Sequence, residues 1–241
     1  MTRRRWIADE TSGNRAALTG EHAAHLARVL RARVGEEFEI ATADGVRLGR
    51  VSAVTPERVE FELAETVSAG AAGAVTILVA IFKFDRYEWA IEKLTELGGA
   101  RIIPVIARRT DAHLAKAAGK RAERWRRIAL AAAEQSRREA PPEIADPAPL
   151  EKLLARDGMR VVLVEPNTET GQTPSLQEVL QSQRRARELP LTLAIGPEGG
   201  WTAGELDSFR QAGWQSASLG ALVLRAETAA IAALAVANVA F

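Results

Sequence analysis

Ile195-Gly196-Pro197-Glu198-Gly199-Gly200-Trp201 directly follows the apolar run Leu191–Ile195 and places three glycines in five positions. A strand that stops at a glycine-rich turn lets a ligand approach bare backbone. A second segment, Leu219-Gly220-Ala221-Leu222-Val223-Leu224-Arg225-Ala226-Glu227-Thr228-Ala229, repeats the arrangement and leads into a very apolar tail. Two such turns in one region predict a single pocket built from two loops.

The surrounding pattern sets the fold class. Val75–Phe82 is nearly continuously apolar, as in a strand covered on both faces. Ile102–Ile106, Val161–Val164, Leu191–Ile195 and Ala217–Leu219 read as further strands. Helices are predicted over Arg86–Leu97, Lys120–Ser136, Ser175–Glu188 and Thr202–Ala212, the second with Trp125, Ile128, Ala129, Ala132 and Ala133 at helical spacing. Strands alternating with helices argue for an α/β domain with a parallel sheet. Ala226–Phe241, apolar nearly all round, predicts a helix buried on most faces.

Residues 1 to about 70 have another texture. Glu37–Ile40 and Val59–Leu63 alternate apolar with polar, the period of half-buried strands. Asp44-Gly45 predicts a hairpin turn, Glu21–Arg33 a helix, and Thr66–Gly73 a linker. Two domains result, residues 1–72 and 73–241.

Cysteine is absent, which excludes disulfides, zinc ribbons and thiol catalysis. No apolar segment follows the charged start, and Ala226–Phe241 is shorter than the roughly 20 residues needed to span a bilayer. A cytoplasmic protein is expected, without a membrane or metal partner. His22 and His25 form H-x-x-H but bring no acidic cluster with them. The net charge is only +1, yet Arg101–Arg138 holds eleven basic residues against three acids. Such a stretch suits a polyanion, or a solvated helix face.

The chemistry of the turns is restrictive. No Lys-Ser/Thr follows Gly200 and no G-x-G-x-x-G is present, so neither turn is a triphosphate loop. Free amides and carbonyls without lysine suit an adenine edge or a ribose. Glu198 can accept from a ligand or simply order its loop. Glu227, near a helix start, complements the dipole there. Arg225 is a cation at the positive end of a helix and calls for an anionic partner. No Ser/His/Asp order or H-E-x-x-H motif appears.

Several segments in order carry a resemblance: His25–Arg31; Lys83–Asp85 with Glu92–Gly98; Glu123-Arg124-Trp125; Ala133–Ser136 with Arg138, Pro142 and Ile144; Ile195–Gly200; and Leu219–Ala229. Nearly end to end, the chain resembles the ribosomal RNA small subunit methyltransferase E family of the SPOUT superfamily. The resemblance implies a small PUA-like β-barrel that binds RNA, followed by a SPOUT-type α/β trefoil-knot domain. It further implies a homodimer that uses S-adenosylmethionine to methylate N3 of a specific uridine in 16S rRNA of the small ribosomal subunit. The cofactor would meet Leu163, Glu165, Gly196, Pro197, Glu198, Gly199, Gly200, Leu219, Gly220, Leu222 and Leu224. Arg225, with Glu198 or Glu227 to orient it or take the uridine proton, would be catalytic. Arg3, Arg4, Arg5, Arg31, Arg124, Arg127 and Arg138 would hold RNA phosphates. Three positions depart from the family pattern: Gly99 stands where valine or isoleucine is common, Pro141 precedes Pro142, and Trp201 replaces phenylalanine or leucine.

Overall fold

The computed structural model describes residues 5–42, 45–68, 75–166, 173–182 and 190–240. The chain divides into two compact units, Met1–Ala71 with Ala133–Pro141, and Ala72–Ala132 with Pro142–Phe241.

The first unit is built on a six-stranded sheet. Its strands are β1 (Arg5–Ile7), β2 (Glu10–Ser12), β3 (Arg15–Thr19), β4 (Glu37–Thr42), β5 (Gly45–Val54) and β6 (Arg58–Ser68). The order is β1-β4-β5-β6-β3-β2, with only β1–β4 parallel. Alternate residues point inward, so Ile40, Val51, Val59 and Phe61 form a core with Trp6, Leu18 and Leu26. Asp44 lies outside the described residues, but β4 and β5 do form an antiparallel pair closing at Thr42 and Gly45.

Two expectations in this region need correction. The helix over Glu21–Arg33 is instead a short α1 (Gly20–Ala24) that widens into a π-helix, His25–Val29. Leu30 N–H donates to His25 O at 3.1 Å and Ala32 N–H to Leu26 O at 3.1 Å. Arg31 then takes a left-handed φ of 52°, which ends helical winding. Thr66–Ser68, read as linker, belongs to β6, paired with β5; residues 69–73 lie outside the described residues.

The second unit carries a seven-stranded, wholly parallel sheet. Its strands are β7 (Val75–Ala80), β8 (Arg101–Ile106), β9 (Glu143–Ile144), β10 (Ala148–Pro149), β11 (Met159–Leu163), β12 (Leu191–Ile195) and β13 (Gln215–Ala217). The order is β10-β8-β7-β12-β11-β13, and β9 also pairs with β8. The helices are α2 (Phe84–Glu96), α3 (Ala112–Gln135), α4 (Leu176–Ser182), α5 (Ala203–Gln211) and α6 (Ala226–Ala240).

Both faces of this sheet are covered. Val75, Ile77 and Val79 of β7 enter one core with Tyr87, Trp125 and Leu234. Leu78 and Ala80 enter the other, with Trp201, Phe209 and Trp214. That division is the period-2 pleat applied to a continuous apolar run. Trp201, Phe209 and Trp214 form a ladder, each step 5.0 Å between ring centroids. Trp201 thus extends an aromatic stack.

Helix α3 begins eight residues before the sequence reading placed it. The Asp111 carboxylate accepts from His113 N–H at 2.8 Å and Leu114 N–H at 3.2 Å, capping the early start. His113 is therefore helical. Helix α4 starts after Ser175, whose hydroxyl accepts from Glu178 N–H at 3.2 Å. Its expected continuation over residues 183–188 lies outside the described residues. The last strand is offset, Gln215–Ala217 in place of Ala217–Leu219. Gly99 has a packing reason: a Cβ there would lie 2.8 Å from Ile77 Cδ1 and 3.1 Å from Leu94 O.

Candidate functional site

The adjacent strands β12, β11 and β13 all end at one edge of the parallel sheet, and ligands bind outside such carboxyl ends. Here the segments after the three strands enclose a cavity of about 580 Å³. Its wall comes from Leu163–Pro166, Ile195–Trp201 and Leu219 with Leu222–Ala226, joined by Arg86 and Arg109. The volume lies within the range of small-molecule sites.

Each loop has a local reason for its shape. After β12, Gly200 N–H donates to Pro197 O at 2.8 Å, closing a tight turn. Gly200 has φ 68°, which a side chain would strain. A Cβ on Gly196 would stand 3.2 Å from Trp201 Nε1, so the turn is packed against the indole. Thr202 and Glu205 then form a reciprocal capping box that starts α5. After β13, Gly220 turns the chain at φ 112°.

Of the residues assigned to the cofactor from the sequence, Leu163, Glu165, Gly196, Pro197, Glu198, Gly199, Gly200, Leu219, Leu222 and Leu224 line this cavity. Gly220 does not line it; it shapes the turn. Glu165 reaches the glycine turn, with Oε1 3.5 Å from the Cβ position of Gly200.

The charged groups sort by environment. Arg225 is exposed, lines the cavity, and makes no ion pair with a described residue. It immediately precedes α6, and its carbonyl accepts from Ala229 N–H at 2.8 Å. Glu198 is exposed on the glycine turn. Glu227, in the first turn of α6, is buried; its Oε1 lies 3.8 Å from Arg86 Nε. Its Oε2 has no hydrogen-bond partner among the described residues. The sequence did not point to Arg86 or Arg109, and Arg109 donates to the Gly199 carbonyl.

The basic residues assigned to RNA are placed unevenly. Arg3 and Arg4 lie outside the described residues. Arg5 is held by Glu39, with Nε donating to Oε2 at 3.0 Å. Arg31 is exposed at its left-handed position. Arg124 grips Glu88 through two hydrogen bonds of 2.8 Å. Arg127 is exposed and makes no ion pair with a described residue. Arg138 is half-buried, and that burial pulls its pKa below the usual arginine value. His22 lies between two carboxylates, Asp9 at 3.3 Å and Glu134 at 3.6 Å. Among the described residues, no group of three or more potential metal ligands occurs.

A family model described as RNA methyltransferase domain matches residues 70–238, and one described as RNA methyltransferase PUA domain matches residues 18–64. The fold is that of an RNA methyltransferase, with the SPOUT-type α/β fold preceded by a PUA-like β domain. Ribosomal RNA small subunit methyltransferase E of Bacillus subtilis is 31% identical over 90% of this chain and 87% of its own length. That of Synechocystis is 33% identical over 92% and 72%. The chain belongs to the ribosomal RNA small subunit methyltransferase E family. A crystal structure of the Neisseria gonorrhoeae member bound to S-adenosyl methionine superposes with a TM-score of 0.83 at 26% identity, covering 99% of this chain and 98% of that one. A putative methyltransferase of Legionella pneumophila in complex with the same cofactor gives 0.83 and 26%, covering 100% and 98%.

Proposed function

We propose that this chain transfers a methyl group from S-adenosylmethionine to N3 of a specific uridine in 16S rRNA. The observation that carries the reading is the cavity at the ends of β11, β12 and β13, with Arg225 at its wall.

The wall suits that cofactor. Backbone amides and carbonyls exposed by Gly196, Gly199 and Gly200 match an adenine edge and ribose hydroxyls. Leu163, Ile195, Leu219, Leu222 and Leu224 supply apolar surface. Glu165 and Glu198 face a ligand that carries positive charge. Among the described residues no lysine lines the cavity, and two of its three arginines are directed to the protein itself, Arg86 to Glu227 and Arg109 to the Gly199 carbonyl, which leaves no phosphate cradle. When bound, the cofactor supplies an electrophilic methyl group.

The protein's task is to make a weakly acidic imide nitrogen nucleophilic. Arg225, an exposed cation without an ion pair to a described residue, can stabilise the charge that develops on uridine as the N3 proton leaves. Of the two carboxylates assigned to catalysis, Glu198 is exposed and free to accept that proton, whereas Glu227 is buried and directed to Arg86. N3 lies on the Watson–Crick edge, so the uridine must be unpaired when it reacts. Arg3, Arg4, Arg5, Arg31, Arg124, Arg127 and Arg138 would hold the surrounding phosphates. Arg127 and Arg31 are the most available; Arg5 and Arg124 would share their carboxylate partners.

The same reading assigns residues 1–72 to a PUA-like RNA-binding domain and 73–241 to the methyltransferase domain. It makes the protein a cytoplasmic homodimer acting on the small ribosomal subunit. Exposed Val239 of α6, outside the cavity wall, supports a second copy, as apolar surface that the single chain leaves uncovered. Among the described residues no helix is long and apolar enough to cross a membrane. Calorimetry with S-adenosylhomocysteine, paired with a methyl-transfer assay on small-subunit RNA, tests the reading. Absence of both binding and transfer would refute it.

A further inference from the structure

The turn between β8 and α3 is tied to the glycine turn and to the first turn of α5 that follows it. Arg109 Nη1 donates to the Gly199 carbonyl. One residue earlier, Arg108 N–H donates to Glu205 Oε1 at 2.8 Å. The anchoring turn is itself closed: Thr110 N–H donates to Ala107 O at 3.1 Å, and Ala107 N–H to Thr110 Oγ1 at 3.1 Å.

Glu205 is only 6% exposed. Its Oε2 accepts from Thr202 N–H at 2.7 Å and Thr202 Oγ1 at 2.8 Å, which completes the cap of α5. A cap needs no more than that. The Oε1 bond comes from a segment 97 residues away in the chain, and it joins the start of α5, just after the glycine turn, to the turn that follows β8. Burying a carboxylate is costly unless it is paired or hydrogen-bonded; both Glu205 oxygens are engaged, one in each segment, so Glu205 fixes the two together. Arg109 fits the turn sterically as well: its Cδ lies 3.2 Å from where a Cβ on Gly199 would stand. Glycine at this place makes room for the arginine stem.

We infer that Arg109 and Glu205 are positioning residues that hold the Gly196–Gly200 turn in its cofactor-binding form before the cofactor arrives. A loop fixed in its bound shape loses less entropy on binding, so the brace raises affinity without touching the reacting atoms. The inference rests on the cavity being the S-adenosylmethionine site.

The test uses the full chain carrying Arg109→Ala, Arg109→Lys, Gly199→Ala and Glu205→Gln. Calorimetry with S-adenosylhomocysteine should show the Kd rise by about tenfold in Arg109→Ala, which corresponds to about 1.4 kcal/mol. Lysine should restore part of it. Gly199→Ala should weaken binding in the parent but add little to Arg109→Ala, because both release one contact. In the cofactor-free protein, hydrogen exchange of the Gly199–Trp201 amides should accelerate in Arg109→Ala and Glu205→Gln. Unchanged exchange with unchanged Kd would overturn the brace. So would weaker RNA binding at unchanged cofactor Kd, which would make Arg109 an RNA contact. If the parent protein binds no S-adenosylhomocysteine, the proposed function fails, and the exchange rates alone still decide the brace.

Discussion

Buried Glu227 lies against Arg86, 3.8 Å away, and not against Arg225, two residues before it in the chain. The arginine nearest in sequence stays exposed at the cavity wall, while one from the start of α2 is held by the carboxylate. Glu227 also sits at the positive end of α6, where a carboxylate is favoured. Removing Arg86 would leave this buried charge without its cation. Arg86→Ala should lower unfolding stability by on the order of 2 kcal/mol, less than for a wholly buried pair because Arg86 is partly exposed. Chemical denaturation measures it.

Arg225→Ala should act on chemistry and not on folding. A preorganised cation at developing charge contributes about 3 kcal/mol, so methyl transfer should fall by about 10²-fold. S-adenosylhomocysteine affinity should stay within a few-fold. Single-turnover kinetics and calorimetry on the same preparation separate the two.

Gly99→Val, which would restore the residue common in the family, should destabilise this chain. Its Cβ would press on Ile77 Cδ1 and the Leu94 carbonyl. Overpacking of this kind costs about 1–3 kcal/mol. Thermal unfolding of the variant should show it, with rescue by Ile77→Val.

RNA affinity should depend steeply on salt. With six or more phosphate contacts, it should drop by about a thousandfold between roughly 50 and 200 mM salt. Arg127→Ala should weaken binding evenly across sequences and reduce the salt slope by about one. A filter-binding series at several salt concentrations reads both effects.

The parallel sheet was legible in the sequence because its strands are covered on both faces. Val75–Ala80 and Leu191–Ile195 read as unbroken apolar runs, and the glycine turns follow their ends. The strands of the first unit were harder. Glu10–Ser12 is wholly exposed and polar, so no pattern marks it. The start of α3 was hidden because Ala112–Gly119 is mostly small residues without a clear stripe; the signal was Asp111, a cap three residues before the first partly buried leucine. The switch from α1 to a π-helix has no periodic signature over so few residues. In the site, the two loops could be read from glycines and strand ends, and Leu163 and Glu165 from the family resemblance. Arg86 and Arg109 could not, because Arg109 meets Gly199 across 90 residues and an exposed arginine gives no sign of its partner.

The central claim is the reaction itself. Nucleoside mass spectrometry of 16S rRNA, from cells with and without the gene for this chain, measures it most directly. Loss of a single 3-methyluridine, restored by the parent chain and not by Arg225→Ala, is the predicted result. An unchanged 3-methyluridine content in cells lacking the gene would contradict the account.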